Sequence, residues 1–469
     1  MVFHGLFLLF LTLYDVKSHL VINNKHLTMK VTVKLTLIFL LITGNIFAQQ
    51  EKGIIGANNW LYNWTEFKPG QEDYGEPTQI LAGNITKDTK LTKRDTYLLL
   101  GNVFVTNNAT LTIEPGTVII GDYDSKASLT ISKGATIIAE GLETDPIIFT
   151  SNRSVKRAGD WGGLIILGDA PTNKFGNGSV ASYYSQLDSA SYGYTSFGGE
   201  DVNSNSGILR YVRIEYAGKR IKRSGYFNGL LLASVGSATI LENIMVSFSA
   251  GNSFEVLGGE VCFKKLVSYR SNSNDFKFNY GAQIQLSNSL AVRSPYVSSS
   301  SGARCLQVVS YDNRDEIDFT KKGTSIFAEN LTLVNDSENL KADIEKGLVK
   351  EAIYVGEHTS LEMNKSVVSG FNPAVLLDEK ITINQESLEK IKFTDMFFNN
   401  CNGNIFTEYN SNNEDLENWY GNQAFFNVYS KSSNSETFID IKNEKKLDYR
   451  LRINKIIASN EVDSDLKLD

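Results

Sequence analysis

The stretch NRDEIDFTKKG, Asn313 to Gly323, gathers Asp315, Glu316 and Asp318 within four residues, with Arg314 and Lys321 alongside. Carboxylates are the hard oxygen ligands that calcium takes. A calcium ion held there could acidify the α-proton of a uronate sugar, which a neighbouring Arg or Lys would then remove; that is polysaccharide-lyase chemistry. In an extended strand Glu316 and Asp318 share one face and Ile317 turns to the other, so an oxygen-ligand site is geometrically available. The plainer alternative is a solvated charged edge that discourages strand addition.

Two other sets could bind a ligand. Glu255 stands between Phe254 and Val256 in NSFEVLGGEV, and Asp275 stands in SNSNDFKFNYG, so both flank one register and invite a joint test. The alternative there is an Asn and Ser hydrogen-bond ladder along one turn. The segment Ala170 to Gly207, rich in Ser, Asn, Tyr and Gly, carries Tyr183, Tyr184, Tyr192, Tyr194 and Phe197. Rings on a flat protein face can stack sugars, though rings that pin a loop onto its scaffold look the same in sequence.

Other chemistries find no residues. His358 is the one histidine after residue 48, which argues against a histidine zinc site or a triad built on several histidines. Cys262, Cys305 and Cys401 are odd in number, lack metal-ligand spacing and sit in or beside apolar strand-like runs, so small buried thiols are expected. The triplet Arg220-Ile221-Lys222 in GKRIKRSG reads as a solvated basic turn, with weak binding of acidic polymers as the alternative. No residue is assigned a catalytic role. The formal charge of −7 argues against a nucleic-acid partner.

The elements that must position these groups are short. Stretches such as LTIEPGTVII, LRYVRIEY, IQLSNSLAV and NLTLVN hold apolar runs of about four to eight residues bounded by Gly, Asn, Asp or Ser, the signature of strand and turn. Two repeats suggest how they stack. NATLTIEPGTVII (108–120) overlays KASLTISKGATII (126–138) at an offset of eighteen, and NIMVSFSAGNSFEV (243–256) overlays KLVSYRSNSNDFKF (265–278) at twenty-two. Such periods suit one coil of a β-solenoid rather than a propeller blade. Stacking coils about 4.8 Å apart satisfies their backbone edges. Leu111, Ile113, Leu129, Ile131, Val246, Phe254 and Phe276 are expected inside, with Gly116 and Gly134 at tight corners.

Segment MKVTVKLTLIFLLITGNIFAQQ, from Met29, has Lys30 and Lys34, an apolar run and an exit at Ala48. That is a secretory signal layout with an apolar run too short to span a bilayer, so 1–48 is expected to be an over-long start plus signal peptide, and the mature chain to lack a transmembrane span. Residues 49–85 are expected to form an N-terminal cap segment, Trp60, Trp64, Phe67 and Pro69 covering the open lower end. Coils are expected over 86–380, interrupted by the 170–207 insertion, with irregular coils or a cap over 381–469.

ATLTIEPGTVIIGD, DPIIFTSN, GDWGGLIILGDAPTN (159–173), GGEDVNSNSGILRYVRIEYAG (198–218) and NSFEVLGGEV resemble secreted parallel β-helix surface proteins of the Bacteroidota, mostly uncharacterised and often found beside TonB-dependent receptors. The resemblance runs from about Trp60 to about Gly259. It implies an all-β, right-handed parallel β-helix, a pectin-lyase-like solenoid, at the cell surface or in the periplasm, with a polysaccharide or an outer-membrane receptor as partner. The acidic run of that family is reduced here to Asp275. Hydrolases of this fold use close aspartate pairs and a Gly-His-Gly, and the chain has no Asp-Asp pair and no Gly-His-Gly. The expected function is therefore non-catalytic binding or scaffolding without a cofactor, and the alternative is a calcium-dependent polysaccharide lyase.

Overall fold

The structure, a computed structural model, describes residues 51–455 apart from 185, 186, 188, 222–224, 298–302, 404, 408–413, 444 and 453. The secretory segment expected over 1–48 and Lys222 lie outside the described residues.

The chain winds as a parallel β-helix whose coils lay one strand on each of three sheets. In the first sheet the inward column reads Leu91, Ile113, Ala139, Leu209, Leu241, Phe263, Leu286, Ala328, Met363 and Phe393, each paired in parallel with the next. The second sheet stacks Ile119, Phe149, Ile214, Val246, Ser268, Ala291, Leu333, Val368 and Phe398. In the third, Ile131, Ile166, Leu232, Val256, Phe278, Val308, Val355 and Leu377 follow one another. Each coil lends the next its backbone partners and its apolar floor, and neither exists for one coil alone.

Every residue expected inside is buried. The two repeats, however, have different meanings. Phe254 pairs with Phe276, so the offset of twenty-two is one true coil. Leu111 pairs with Ile137, twenty-six residues on, while Leu129 stacks on Val103 in the third sheet. The eighteen-residue offset is therefore a correction: it superposes the corner from first to second sheet at Gly116 on the corner from third to first sheet at Gly134, passing over the one between them, because these two corners make the same demand of the chain. Gly116 and Gly134 take φ of +74° and +87°, which an L side chain rarely adopts. Elsewhere the bend between first and second sheets is made by one left-handed residue per coil, Asn243, Lys265, Asn288, Asn330, Lys365 and Asp395 among them.

The N-terminal segment corrects a second expectation. Trp64, Phe67, Ile54 and Leu61 do not cover the lower end. They pack along the outer face of the second sheet, with Met245, Val267, Leu290, Val334 and Val367. The Gly53 amide donates to the Lys365 carbonyl (2.8 Å), Ile54 to Thr332 Oγ1 (2.8 Å) and Ile55 to Asn288 Oδ1 (2.9 Å). The segment then descends, Phe67 edge-on to Tyr269 at 4.9 Å and Trp64 to Tyr211 at 5.9 Å, until the Tyr74 hydroxyl reaches Glu215. That face is apolar enough to be covered, whereas the lower end is already closed by the rung Gln79–Ile85, with Leu81 and Ile85 against the core.

Residues beyond 381 continue the coils through Ile391–Thr394, Phe397–Asn399 and Ile405–Thr407. Helix Glu414–Tyr420 closes the upper end, placing Leu416 and Tyr420 in the core. The hairpin Phe438–Asp440 and Asp448–Leu451 then returns to the second sheet beside the N-terminal strap, where Arg450 donates to the Gly56 carbonyl (2.6 Å). Among the described residues no helix is long and apolar enough to cross a membrane.

Trp64→Ala removes a fully buried ring and is expected to lower stability by about 3–5 kcal/mol in chemical denaturation. Hydrogen exchange is expected to rise in Val267–Tyr269 and Leu290–Arg293 while the rung Gln79–Ile85 stays protected; the reverse pattern would restore the lower-end cap.

Candidate functional site

The outer face of the third sheet carries a second column of side chains: Phe104, Thr130, Ile165, Leu231, Glu255, Lys277, Gln307 and Tyr354 in successive coils. Its lower half is apolar apart from Thr130, and its upper half is polar. The insertion covers the lower half with Val180, Tyr184 and Phe197. Tyr184 is buried, its hydroxyl 2.5 Å from Thr130 Oγ1 and its ring 5.2 Å from Phe104. Tyr194 lies 6.0 Å from Phe104 and Tyr183 stacks on Phe227 at 5.4 Å. These rings pin the insertion to the scaffold. Tyr184 and Phe197 therefore have no free face for a sugar, and Tyr192, 55 % exposed, lies outside the cleft.

Where the column turns polar, the insertion and the 310–323 loop leave an open cleft of about 530 Å³ between them. Glu255, Leu257 and Tyr280 line its floor; Tyr183 and Phe197 line the insertion side; Lys174, Asp312, Asp315 and Glu316 line the rest. Five of the ten residues singled out from sequence thus meet here: Tyr183, Phe197, Glu255, Asp315 and Glu316.

Glu255 and Asp275 do not meet. The neighbour of Glu255 one coil up is Lys277, whose Nζ lies 3.1 Å from Glu255 Oε1 and 3.1 Å from Asp312 Oδ1. Asn228 and Asn252 donate to the other Glu255 oxygen, at 2.5 and 3.3 Å. Asp275, two residues before Lys277, is fully buried, accepting from Ser268 Oγ (2.5 Å) and Arg293 Nη1 (3.0 Å). Burial outweighs the Arg293 guanidinium and raises its carboxyl above the usual range. Beside it runs the ladder expected as the alternative: Asn252 N–H donates to Asn228 Oδ1 and Asn274 N–H to Asn252 Oδ1, each at 3.1 Å.

The calcium set is corrected as well. Arg314–Glu316 is a 3-10 turn, not a strand, and Ile317 is buried beneath the loop. The Glu316 carboxylate is taken by Lys174 and by the Tyr280 hydroxyl (3.3 Å). Asp318 accepts from the Thr320 amide (2.9 Å) and hydroxyl (2.6 Å). Asp315 lines the cleft and Asp318 does not. Glu316 and Asp318 are held by separate partners and Asp315 by neither, so the three do not converge on a shared cation; among the described residues no group of three or more His, Cys, Asp or Glu is placed to hold a metal ion.

The cations fix what the cleft can do. Burial alone would lower Lys277, but Glu255 and Asp312 outweigh it and hold its ammonium above the ordinary lysine value. Burial, with Glu255 nearby, pushes the Tyr183 phenol well up; burial with Asp312 and Glu316 does the same to Tyr280. The hydrogen bond from Lys174 holds Glu316 below the usual carboxylate value. At neutral pH the cleft thus offers charged acceptors and protonated donors, and neither its phenols nor Lys277 can take up a proton.

Sequence reasoning missed Lys277, Asp312, Lys174, Tyr280 and Phe175. Lys277 was within reach, since the twenty-two-residue register that sets Phe254 beneath Phe276 also sets Glu255 beneath Lys277. Asp312 and Lys174 come from loops whose meeting no periodicity announces. Arg220 is exposed in a short hairpin, Arg220–Ile221 pairing with Gly225–Tyr226, while Ile221 is buried. One smaller feature differs from expectation: Cys262 is exposed on the first sheet while Cys305 is buried.

Lys277→Met strands the buried Glu255 carboxylate and is expected to cost about 3 kcal/mol, the low end for breaking a buried pair; adding Glu255→Gln recovers part of it. The folded chain holds this proton more tightly than the unfolded chain. The contribution is therefore full below the ordinary lysine value and fades as pH rises through the folded one. Denaturation curves of wild type and Lys277→Met are expected to stay apart by a constant amount from neutral pH up to about pH 10 and to converge above it.

No curated protein and no solved structure matches the chain. Residues 83–441, from the lowest rung to the returning hairpin, match the family described as the Pectate-lyase like beta helix domain. The match spans the three-sheet coil, the insertion and both walls of the cleft, and on that ground the chain belongs to the pectate-lyase-like β-helix family.

Proposed function

We propose that this protein is an exported β-helix that binds a glycan, at the cell surface or in the periplasm, and acts as a scaffold rather than an enzyme. The observation that carries the reading is the cleft over Glu255 and Lys277, where every lysine is already paired with a carboxylate. Eliminative cleavage of a uronate needs an unprotonated base positioned at the sugar α-carbon. Lys277, held protonated, and the raised phenols of Tyr183 and Tyr280 are poor candidates for it. Fixed donors and acceptors around an open cleft suit the recognition of hydroxyl groups instead. Export rests on the signal-like segment at 29–48, and an outer-membrane receptor is the other partner that the surface resemblance suggests.

Family membership favours a second reading, a polysaccharide lyase, though fold alone does not carry chemistry. Asp315, Glu316 and Asp318 would not serve it, since Glu316 and Asp318 are engaged with separate partners and the three do not converge on one point.

The mature chain is expected to bind on a polysaccharide array and to return every bound polymer uncut. Appearance of an unsaturated, ultraviolet-absorbing product that a chelator abolishes would replace the first reading with the second.

A further inference from the structure

The cleft does not end on the third sheet. Asn177, on its wall, also lines a depression of about 440 Å³ at the corner where the third sheet gives way to the first. Glu260 and Gln283, which line that depression, also line a third of about 320 Å³ on the outer face of the first sheet. The three thus follow one another through shared wall residues, and a path that turns a corner of the helix suits a chain rather than a compact molecule.

Exposed rings mark the two ends. Phe175, 64 % exposed, lines the cleft, and Phe327, 41 % exposed, lines the depression on the first sheet between Gln285 and Glu362 of adjacent coils. Nothing in the packing requires two phenylalanines in water there, and the apolar face of a pyranose is a natural partner for each. Between them, Asn173 lines the corner depression, is almost fully buried and has an Oδ1 with no hydrogen-bond partner among the described residues, while its Nδ2 donates to the Ser310 carbonyl (3.1 Å). A buried acceptor without a donor is costly unless a ligand or water supplies one.

Charge along the path selects the ligand. Glu200 and Glu260 join Lys321 and Lys322 at the corner, and Lys321 already donates to the Lys174 carbonyl (2.8 Å). On the first sheet Glu260 and Glu362 have no lysine beside them in the lining. Over the three depressions seven carboxylates face three lysines, and Lys277 behind the first raises the cations only to four. A polyanion would meet net repulsion over the whole path.

We propose that these depressions form one groove for an uncharged polysaccharide chain, with Phe175 and Phe327 as ring platforms and Asn173 Oδ1 as a hydroxyl acceptor. The assignment rests on the glycan-binding reading above and names its ligand class.

Affinity electrophoresis of the mature chain through gels carrying neutral glucan, mannan or xylan, or polygalacturonate, tests it. At least one neutral polymer is expected to retard the protein and polygalacturonate is not. Phe175→Ala and Phe327→Ala, both at exposed positions, are each expected to weaken retardation roughly three- to tenfold with an unchanged melting curve. Glu200→Lys with Glu260→Lys is expected to gain retardation by polygalacturonate. A wild-type preference for polygalacturonate, or wild-type retardation of both phenylalanine variants, overturns the assignment while leaving glycan binding intact. No retardation in any gel sinks the binding reading itself, and this assignment with it.

Discussion

Each coil of this molecule presents two edges of backbone N–H and C=O groups, and each edge is satisfied only by the coil above or below. Parallel pairing in register is therefore the constraint on which everything else depends. A side chain's direction, inward or outward, follows from its place in the strand, so inward columns must be apolar and matched in size while outward columns are free to vary. That freedom lets one outward column run from Phe104 to Leu231 under a pinned insertion and then turn to Glu255 and Lys277 in an open cleft.

The polar half of that column is expensive to build, since Glu255 and Lys277 are both largely shielded from water. The structure meets the cost with saturation. Glu255 has a cation on one oxygen and two amide donors on the other, and Lys277 has a second carboxylate in Asp312. The same solution appears inside the helix, where Ser268 interrupts an apolar column and joins Arg293 in holding Asp275. In both places the neighbouring coil supplies the partner.

The fold was legible because its demand repeats. Phe254 and Phe276 share a column, and alternation showed which face each residue would take. The eighteen-residue echo was legible too but meant something else, since strands on different sheets meet two corners of the same kind. What lay beyond reading was whatever depends on loops. Glu316 looked like half of a carboxylate pair in a strand, and only the turn at Arg314–Glu316 and the approach of Lys174 from another coil decide its partner. Trp64 and Phe67 announced a covering role, but composition does not say which apolar surface is left to cover. The abundance of asparagine has two physical sources: the side-chain ladder through Asn228, Asn252 and Asn274, and left-handed corners such as Asn243, Asn288 and Asn330.

The lengthwise course of residues 53–74 has a mechanical consequence. Solenoids are weak against unzipping from an end, where force breaks one rung at a time. Here tension applied at the N-terminus reaches first the contacts of Gly53 and Ile54 with Lys365 and Thr332, and only after the seam through Trp64 and Phe67 gives way does it reach the lowest rung. The seam loads many coils in shear, so a tethered molecule would resist pulling far better than its stack of short strands suggests.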